Sequence, residues 1–404
     1  MDLRSGTPYW AVHGGLLGVY PPMLDDVEAD VAVVGAGITG ALVAHRLSMD
    51  GHRCVVLDRR EVGWGSTMGS TALLQYEIDV PLRVLSDRIG PDDARAAYQI
   101  CATAIDAIDR LTAHLGDRCG FKRCRSLFLA NSADESSDFQ RECELRRNAG
   151  IDVTLLEARQ LEEWFGLHRP AAILSGIAAV VEPYRLAHRL LADAERHGSR
   201  TFDRTGVVHA EPVGAGWRLV TDRGPQVKAA RLVYATGYES AAMLKERIVD
   251  LRSTFALATE PVAPTDLPPW LSDHVLWESG DPYFYMRSAP DGRLLMGGED
   301  SPFKSDTANS RVLRRRVDNL VSACGALLPR VPIEVAFSWA GVFGQTRDGL
   351  GYFGESPERP GADFVLGFGG NGITFSAVFA EMLAQKYRAG GGAPPLARLF
   401  RFGR

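Results

Sequence analysis

The sequence VAVVGAGITG, at residues 31–40, decides the fold of this 404-residue chain. Its first four residues form a short apolar run rich in valine, which is typical of a strand buried on both faces. A glycine-rich turn follows, and residues 41–49 predict a helix. After a break at Gly51, residues 54–57 predict a second buried strand. This β–turn–α–β pattern predicts an α/β fold that begins with a dinucleotide-binding unit.

Each glycine of the first turn has a mechanical reason to be there. Gly35 permits the tight turn, Gly37 lets the backbone approach a pyrophosphate, and Gly40 lets the helix pack against the strands. The helix N-terminus then offers N–H groups and the positive end of the helix dipole to phosphates. Asp58 ends the second strand, 18 residues after Gly40, where its carboxylate is placed to accept hydrogen bonds from ribose hydroxyls.

Three further small-residue turns occur along the chain. Residues 63–72 read GWGSTMGSTA and indicate a second loop wrapped on the cofactor. The segment Ala235-Thr236-Gly237 follows a predicted strand over 227–234 and offers backbone to a ligand. The last turn, residues 367–374, reads GFGGNGIT, lies between an apolar strand and a helix predicted over 375–387, and again presents a helix N-terminus.

Composition excludes several classes of protein. A formal net charge of −5 gives no basic surface for sequence-independent nucleic-acid binding. No apolar run approaches 18 residues, so no transmembrane segment is expected, and the first residues lack the apolar region of a secretory signal. Six cysteines form neither a disulfide framework nor a zinc motif, so we expect a cytoplasmic protein without a metal site.

Taken in order along the chain, these motifs resemble a known family. The turn at 31–40, the Gly65-Ser66 loop, Ala235-Thr236-Gly237, residues 283–298 with their Asp-Gly-Arg turn, and Gly369-Gly370-Asn371-Gly372 together resemble the FAD-dependent oxidoreductases of the D-amino acid oxidase and glycine oxidase type. The resemblance covers about residues 30–390. It implies a Rossmann-like FAD-binding domain interleaved with a substrate domain that is built on a mixed or antiparallel sheet.

The resemblance also implies which residues hold FAD. Asp58 would bind the ribose, Val208 would hold the adenine through its backbone, and the 369–374 turn would lie at the pyrimidine edge of the flavin. There, N–H groups and the helix dipole would stabilise negative charge on the reduced flavin. The full set of implied cofactor contacts is Gly35, Gly37, Gly40, Asp58, Arg59, Ser66, Thr67, Ala72, Val208, Thr236, Gly237, Gly369, Gly370, Asn371, Gly372, Ile373 and Thr374.

Covalent attachment of the flavin is not expected. Some members of the family tether it through a His in the loop that corresponds to residues 65–72, or through a Cys near 342–344. This chain has no His in the first segment, and the second reads Val342-Phe343-Gly344. We therefore expect non-covalent FAD.

The substrate end departs from the family pattern. Glycine-oxidase-like members place carboxylate-binding arginines at two positions that here look like Phe343 and Gly370, and neither residue replaces a guanidinium fork. In Tyr283-Phe284-Tyr285-Met286-Arg287 the period of two puts the two tyrosines and Arg287 on one face of a strand. We expect these three side chains to line the substrate cavity, and Gln75 with Tyr76 to lie near the flavin face.

Two enzymatic functions follow from this reading. The first is FAD-dependent oxidation of the C–N bond of an amine or amino acid, with hydrolysis of the imine in water. The second is dehydrogenation of a hydroxy acid or alcohol, which generally needs a base such as His. None of the nine histidines falls within 283–298 or 335–375, which favours amines, although folding could bring His13 or His274 inward. An NAD-dependent dehydrogenase and a non-catalytic flavoprotein are the remaining alternatives, and the electron acceptor cannot be read from the sequence.

The spread of the glycine turns predicts two interleaved, discontinuous domains. We expect a lead-in over 1–29, an FAD-binding domain from 30–80, 175–245 and 335–390, a substrate domain from 81–174 and 246–334, and a tail over 391–404. The glycine turns then meet on one cofactor that lies between the domains, where pockets commonly form.

Overall fold

Two β-sheets organise the computed structural model, which describes residues 4–280, 283–303, 310–388 and 391–404. Its strands are β1 (Arg4–Gly6), β2 (Val27–Val34), β3 (Cys54–Leu57), β4 (Leu73–Gln75), β5 (Lys122–Leu129), β6 (Val153–Glu157), β7 (Ala171–Val180), β8 (Arg200–Phe202), β9 (Val207–Val213), β10 (Gly216–Thr221), β11 (Gln226–Tyr234), β12 (Asp250–Thr259), β13 (His274–Glu278), β14 (Phe284–Ser288), β15 (Leu294–Pro302), β16 (Val335–Gln345), β17 (Tyr352–Ser356) and β18 (Arg359–Leu366).

The helices lie between these strands. They are α1 (Tyr9–His13), α2 (Ile38–Met49), α3 (Ser66–Gly69), α4 (Leu82–Ile89), α5 (Pro91–His114), α6 (Ser136–Asn148), α7 (Ala158–Phe165), α8 (Pro183–Arg196), α9 (Ser310–Leu327) and α10 (Gly372–Tyr387). Short 3-10 turns occupy Ala133–Glu135, Gly237–Ala242, Pro269–Asp273 and Pro395–Phe400.

The first sheet is the one that the glycine-rich turn predicts. Its strands run in the order β17-β18-β11-β2-β3-β8, with β10 beside β11 and β9 beside β10. The pairs from β18 to β8 are parallel, so β2, β3, β11 and β18 end at the same edge. Helix α2 packs against α8 and α10. Ligands of open parallel sheets bind in the crevice outside this carboxyl edge.

The second sheet is mixed but largely antiparallel. Its order is β1-β16-β12-β15-β14-β13-β5-β7-β4, and β6 also pairs with β7. The pair β5–β13 is parallel, whereas β12 pairs antiparallel with both β15 and β16. The α/β fold class with a mixed second sheet, expected from the sequence, is therefore confirmed.

The strands divide between the sheets somewhat differently from the predicted domains. Strands β4, β7 and β16 fall wholly or partly within the segments predicted for the FAD-binding domain, yet all three pair in the second sheet. Each forms antiparallel ladders with strands of that sheet, which period and composition alone do not reveal. The division into domains stays a prediction.

The lead-in is also more structured than expected. Within residues 1–29, β1 pairs antiparallel with β16, α1 forms over five residues, and β2 begins at Val27 rather than Asp30. Tyr9 and Trp10 of α1 are buried in the main core. These residues lie close to the candidate site described next.

Candidate active site

A cavity of about 750 Å³ lies at the carboxyl edge of the parallel sheet. The residues that follow the ends of its parallel strands line it: Gly35 after β2, Asp58 after β3, Ala235 after β11 and Gly367 after β18. We call it the phosphate-end cavity. Its position at this edge matches the general rule for ligand sites in α/β sheets.

The glycine turn of residues 35–40 forms one wall of this cavity. Gly35 has a φ of +111°, and a Cβ there would lie 2.4 Å from the carbonyl oxygen of Ala235. A Cβ at Gly40 would lie 1.8 Å from the carbonyl oxygen of Gly35, so the turn and helix α2 pack in direct backbone contact. Gly35 and Gly37 line the cavity, whereas Gly40 acts from beneath it. Only glycine fits at positions 35 and 40 of this turn.

Asp58 lies at the centre of the phosphate-end wall. Its Oδ2 accepts a hydrogen bond of 2.7 Å from the Ala36 N–H, and its Oδ1 accepts one of 2.9 Å from the Arg60 N–H. Burial raises the pKa of this carboxyl above its usual value, while the two N–H donors act in the opposite direction. The side chain thus ties the glycine turn to the end of β3.

The remaining candidates at this end come from several loops. Thr67 accepts a hydrogen bond of 2.9 Å at its Oγ1 from the Ile38 N–H, which joins α3 to the start of α2. Arg59 hydrogen-bonds Glu239, and Val208 is 66% exposed in the cavity wall. Other predicted residues that line the same cavity are Ser66, Thr236, Gly237, Gly369, Gly370, Gly372 and Ile373.

A second cavity, of about 420 Å³, adjoins the first. The two share wall residues Ser66, Ser70, Leu73, Tyr238, Gly369 and Gly370. We call it the ring-end cavity, because it continues away from the phosphate-binding turn. Together the two cavities form one elongated site of the kind that an extended dinucleotide requires.

The closing glycine turn lies at the junction of the two cavities. Gly369 donates its N–H to the Gly344 carbonyl at 2.9 Å, and Gly370 donates its N–H to Asp79 Oδ2 at 2.8 Å. These two N–H groups, which we expected to face the flavin, therefore already have acceptors. The N–H groups in the first turn of α10 lack intrahelical partners and remain the donors of this segment.

Two side chains of that turn are used to hold β4. Asn371 donates from Nδ2 to the Gln75 carbonyl at 2.8 Å, and Thr374 donates from Oγ1 to the same oxygen at 3.2 Å. Asn371 and Gln75 line the ring-end cavity, whereas the buried Thr374 lines neither cavity. Thr374 thus supports the position of Gln75. Contrary to our expectation, it does not face either cavity.

Three buried donors hold consecutive carbonyl groups after α3. Trp339 donates from Nε1 to Gly69 at 2.8 Å, Trp10 donates from Nε1 to Ser70 at 2.6 Å, and Arg287 donates from Nε to Thr71 at 2.8 Å. The next residue, Ala72, has a φ of +56° and lines the ring-end cavity. A non-glycine residue in this conformation is held there by its surroundings. We call this arrangement the carbonyl clamp.

The clamp corrects the expectation for Arg287. The side chain is 2% exposed, donates a second bond from Nη2 to the Val181 carbonyl at 3.3 Å, and lies over the Trp10 ring at 5.3 Å. Burial lowers its pKa to about 10. Arg287 lines neither cavity, because α1 covers this end of the strand face. The lead-in carries no motif, so no sequence signal indicated this contact.

Tyr283 and Tyr285 do line the ring-end cavity, with ring centroids 5.7 Å apart. Burial raises the pKa of Tyr285 to about 12, so its hydroxyl stays protonated near neutral pH. Tyr76, in contrast, lies in the core, where its hydroxyl accepts a hydrogen bond of 3.3 Å from Arg146 Nη1. Phe343 and Gly370, the two positions where the family resemblance implied arginines, both line the ring-end cavity.

The geometry fits FAD. The phosphate-end cavity has a wall that a Cβ would fill, a helix N-terminus and a carboxylate at the end of the second strand, which are the features that bind a dinucleotide pyrophosphate and ribose. The adjoining ring-end cavity supplies room for a second, planar group. Among the described residues that line this cavity there is no His and no Cys.

Comparison with known proteins gives the same result. The model of the FAD dependent oxidoreductase family, DAO, matches residues 30–386. The chain belongs to this family. The family, the FAD cofactor and the oxidoreductase activity expected from the sequence are thereby confirmed.

Curated relatives cover nearly the whole chain. Glycine oxidase of Geobacillus kaustophilus is 28% identical over 366 residues, which are 88% of this chain and 92% of that protein. Glycine oxidase of Bacillus licheniformis is 26% identical over 362 residues, and the match covers 88% of this chain and 92% of that protein. Both matches extend far beyond the dinucleotide-binding unit, so they include the substrate end of the site.

Solved structures share the fold. Glycine oxidase from Geobacillus kaustophilus superposes with a TM-score of 0.75 at 23% identity, covering 92% of this chain and 98% of that one. L-proline dehydrogenase from P. horikoshii superposes with a TM-score of 0.75 at 19% identity, and the match covers 92% of this chain and 96% of that one. The lead-in lies outside the matched family region, which begins at residue 30.

Within the described residues, every helix is too short or too polar to span a membrane. The same residues contain no group of three or more His, Cys, Asp or Glu side chains that could hold a metal ion. All six cysteines are buried and free.

Proposed function

We propose that this enzyme oxidises the C–N bond of an amine or amino acid with non-covalent FAD. When bound, FAD supplies a two-electron acceptor for the hydride that leaves the substrate carbon. The nitrogen loses a proton, and water then hydrolyses the resulting imine to a carbonyl compound and an amine or ammonia.

The observation that carries this proposal is the absence of an imidazole from the described wall of the ring-end cavity. All nine histidines are among the described residues. His13 pairs with Glu182 at 3.3 Å, and Nδ1 of His274 lies 2.7 Å from the Trp270 carbonyl, so neither reaches the cavity. Amine oxidation needs orientation more than a protein base, because the nitrogen lone pair stabilises the developing cation.

The chain's residues would then have separate tasks. The 35–40 turn and the 66–67 segment would hold the diphosphate, and Asp58 would bind the ribose. The carbonyl clamp would fix the loop at 69–72 against the flavin ring. Gln75, Tyr283 and Tyr285 would orient the substrate, since each offers a polar group to the ring-end cavity. The lack of Cys and His in that described wall supports non-covalent FAD.

Anaerobic reduction of the purified protein tests the proposal. We expect a yellow protein that releases FAD on denaturation and whose flavin absorbance bleaches with amines or amino acids. Bleaching by hydroxy acids alone would replace the proposal with alcohol dehydrogenation. A protein that carries FAD but is reduced by none of these compounds would favour a non-catalytic flavoprotein.

A further inference from the structure

A buried trio of charged residues contributes two of its members, Glu77 and Glu142, to the wall of the ring-end cavity. Glu77, Glu142 and Arg146 have side chains that are at most 3% exposed. Arg146 donates from Nε to Glu142 Oε1 at 2.8 Å, and its Nη1 lies 3.7 Å from Glu77 Oε1. Within the trio, two carboxyl groups therefore share one guanidinium, and one negative charge is left without a cation when both are ionised.

The two carboxyl groups are not equivalent. Glu142 also accepts hydrogen bonds of 2.9 Å from the N–H groups of Leu82 and Arg83, one at each oxygen. Glu77 Oε2 is buried and has no hydrogen-bond partner among the described residues. Burial raises the pKa of Glu77 above its usual value. A buried carboxylate oxygen without a donor is costly, and natural proteins generally supply one.

Aromatic residues line the ring-end cavity together with Glu77 and Glu142. Phe128 stacks on Trp277 with ring centroids 3.8 Å apart and on Phe139 at 4.6 Å. All three rings are part of the cavity wall. Carboxylates beside aromatic rings are the combination that recognises an ammonium group.

The rest of the described wall is acidic as well. The additional carboxylates that line the cavity are Asp79, Glu135, Asp138 and Glu278. Arg83, the one Lys or Arg among the described lining residues, pairs with Asp138 at 2.6 Å, and Glu278 pairs with Arg169 at 2.6 Å. A substrate carboxylate would meet like charge here, whereas a cation would gain partners.

From this arrangement we propose that the preferred substrate is an aliphatic diamine, whose second ammonium group binds Glu77 while the first amine is oxidised. This inference rests on the proposed C–N oxidation and specifies its substrate class. The ammonium group would give Glu77 Oε2 the donor that it lacks and would neutralise the uncompensated charge of the trio. Such a substrate needs no arginine at Phe343 or Gly370, the two positions where the family resemblance implied one.

Anaerobic titrations of the native holoenzyme test the substrate class. Putrescine, butylamine and alanine are added separately, and flavin bleaching gives an apparent affinity and a reduction rate for each. We expect putrescine to bind at least about tenfold more tightly than butylamine, a difference of about 1.4 kcal/mol. Alanine should be the weakest of the three.

The outcomes separate the two proposals. Equal affinities for putrescine and butylamine, or a preference for alanine, would overturn the diamine inference and leave C–N oxidation standing. No bleaching by any amine or amino acid would overturn the proposed function itself.

The variant Glu77→Gln tests the residue. It keeps the size of the side chain and removes its charge, so we expect the KM for putrescine to rise about tenfold relative to the KM for butylamine. Glu163→Gln, on the exposed side of α7, is the matched control and should change none of these values. FAD content and Tm verify that each variant is folded.

An equal rise of both KM values, or no rise in either, would overturn the role of Glu77. If Glu77→Gln fails to fold, the comparison of substrates on the native enzyme still decides the substrate class.

Discussion

The glycine turn at the phosphate end is held by hydrogen bonds between residues that are close in sequence, whereas the carbonyl clamp at the ring end is held by distant ones. Ala36 bonds Asp58 across 22 residues, and Ile38 bonds Thr67 across 29. In the carbonyl clamp, Arg287 reaches Thr71 across 216 residues and Trp339 reaches Gly69 across 270. A local unit thus shapes the turn that we propose holds the diphosphate, while distant contacts fix the loop beside the cavity that we propose for the substrate.

This contrast predicts that FAD binding is lost most completely when the backbone contact between the glycine turn and α2 is broken. In Gly40→Ala the new Cβ would lie 1.8 Å from the Gly35 carbonyl oxygen, so α2 cannot keep its place against the turn. We expect FAD affinity to fall by at least about 100-fold, which is roughly 3 kcal/mol. The ratio of flavin to protein absorbance after purification measures this loss.

Gly325→Ala is the matched control for that variant. Gly325 lies inside α9, and a Cβ there meets no atom within 4 Å. This variant should retain FAD and gain slightly in helix stability. A yellow Gly40→Ala protein with native affinity for FAD would show that FAD binding does not depend on the backbone contact between the glycine turn and α2.

At the ring end, Arg287→Met should lower stability and FAD retention together. It leaves the Thr71 and Val181 carbonyls without their donor, which costs about 2–3 kcal/mol. The molecules that keep FAD should show a KM close to the native value, since Arg287 does not line the cavity. Thermal unfolding, FAD content and steady-state kinetics are the measurements.

Arg159→Met, at an exposed site on α7, is the control and should leave all three unchanged. A raised KM with full FAD content would restore the substrate-binding role that the strand pattern first suggested for Arg287.

The smallest effect is expected at the junction of the two ends. Asp79 accepts the Gly370 N–H at the closing turn, and in Asp79→Asn one negative charge is removed near the predicted pyrimidine edge. Reduced flavin carries negative charge there, so its formation should become easier by about 1 kcal/mol, a rise in potential of about 20 mV for a two-electron couple. Equilibration with a reference dye measures the potential.

The effect should also depend on pH. Burial raises the pKa of Asp79 above its usual value, so the native carboxyl takes up its proton at a higher pH than an exposed Asp does. The difference between native and variant potentials should therefore be largest well above that pKa and narrow as the pH falls through it. A difference that is constant with pH, or a lower potential in the variant, would place the charge of Asp79 away from the flavin.

The sequence was most informative where chemistry and chain order coincide. The turn at 35–40, Asp58 and the closing turn at 367–374 could all be predicted, because strand, glycines and helix follow one another along the chain. The position of Tyr283 and Tyr285 on one strand face could be predicted from their spacing, and both residues line the ring-end cavity.

The same pattern was insufficient for Arg287, Trp10 and Glu77. A period of two places Arg287 on the face of the tyrosines but does not reveal that α1 covers that end. Glu77 follows the phosphate loop without any motif, and its proposed role depends on Arg146 and Glu142, which lie on helix α6. Such roles come from tertiary neighbours, and one sequence contains no local signal for them.

The carbonyl clamp also sets the order in which the protein can mature. Trp10 is synthesised long before its partners in the clamp, Arg287 and Trp339. The loop at 69–72 cannot take its final form on the nascent chain before Trp339 emerges. Stable capture of the flavin ring therefore has to await the synthesis of Trp339.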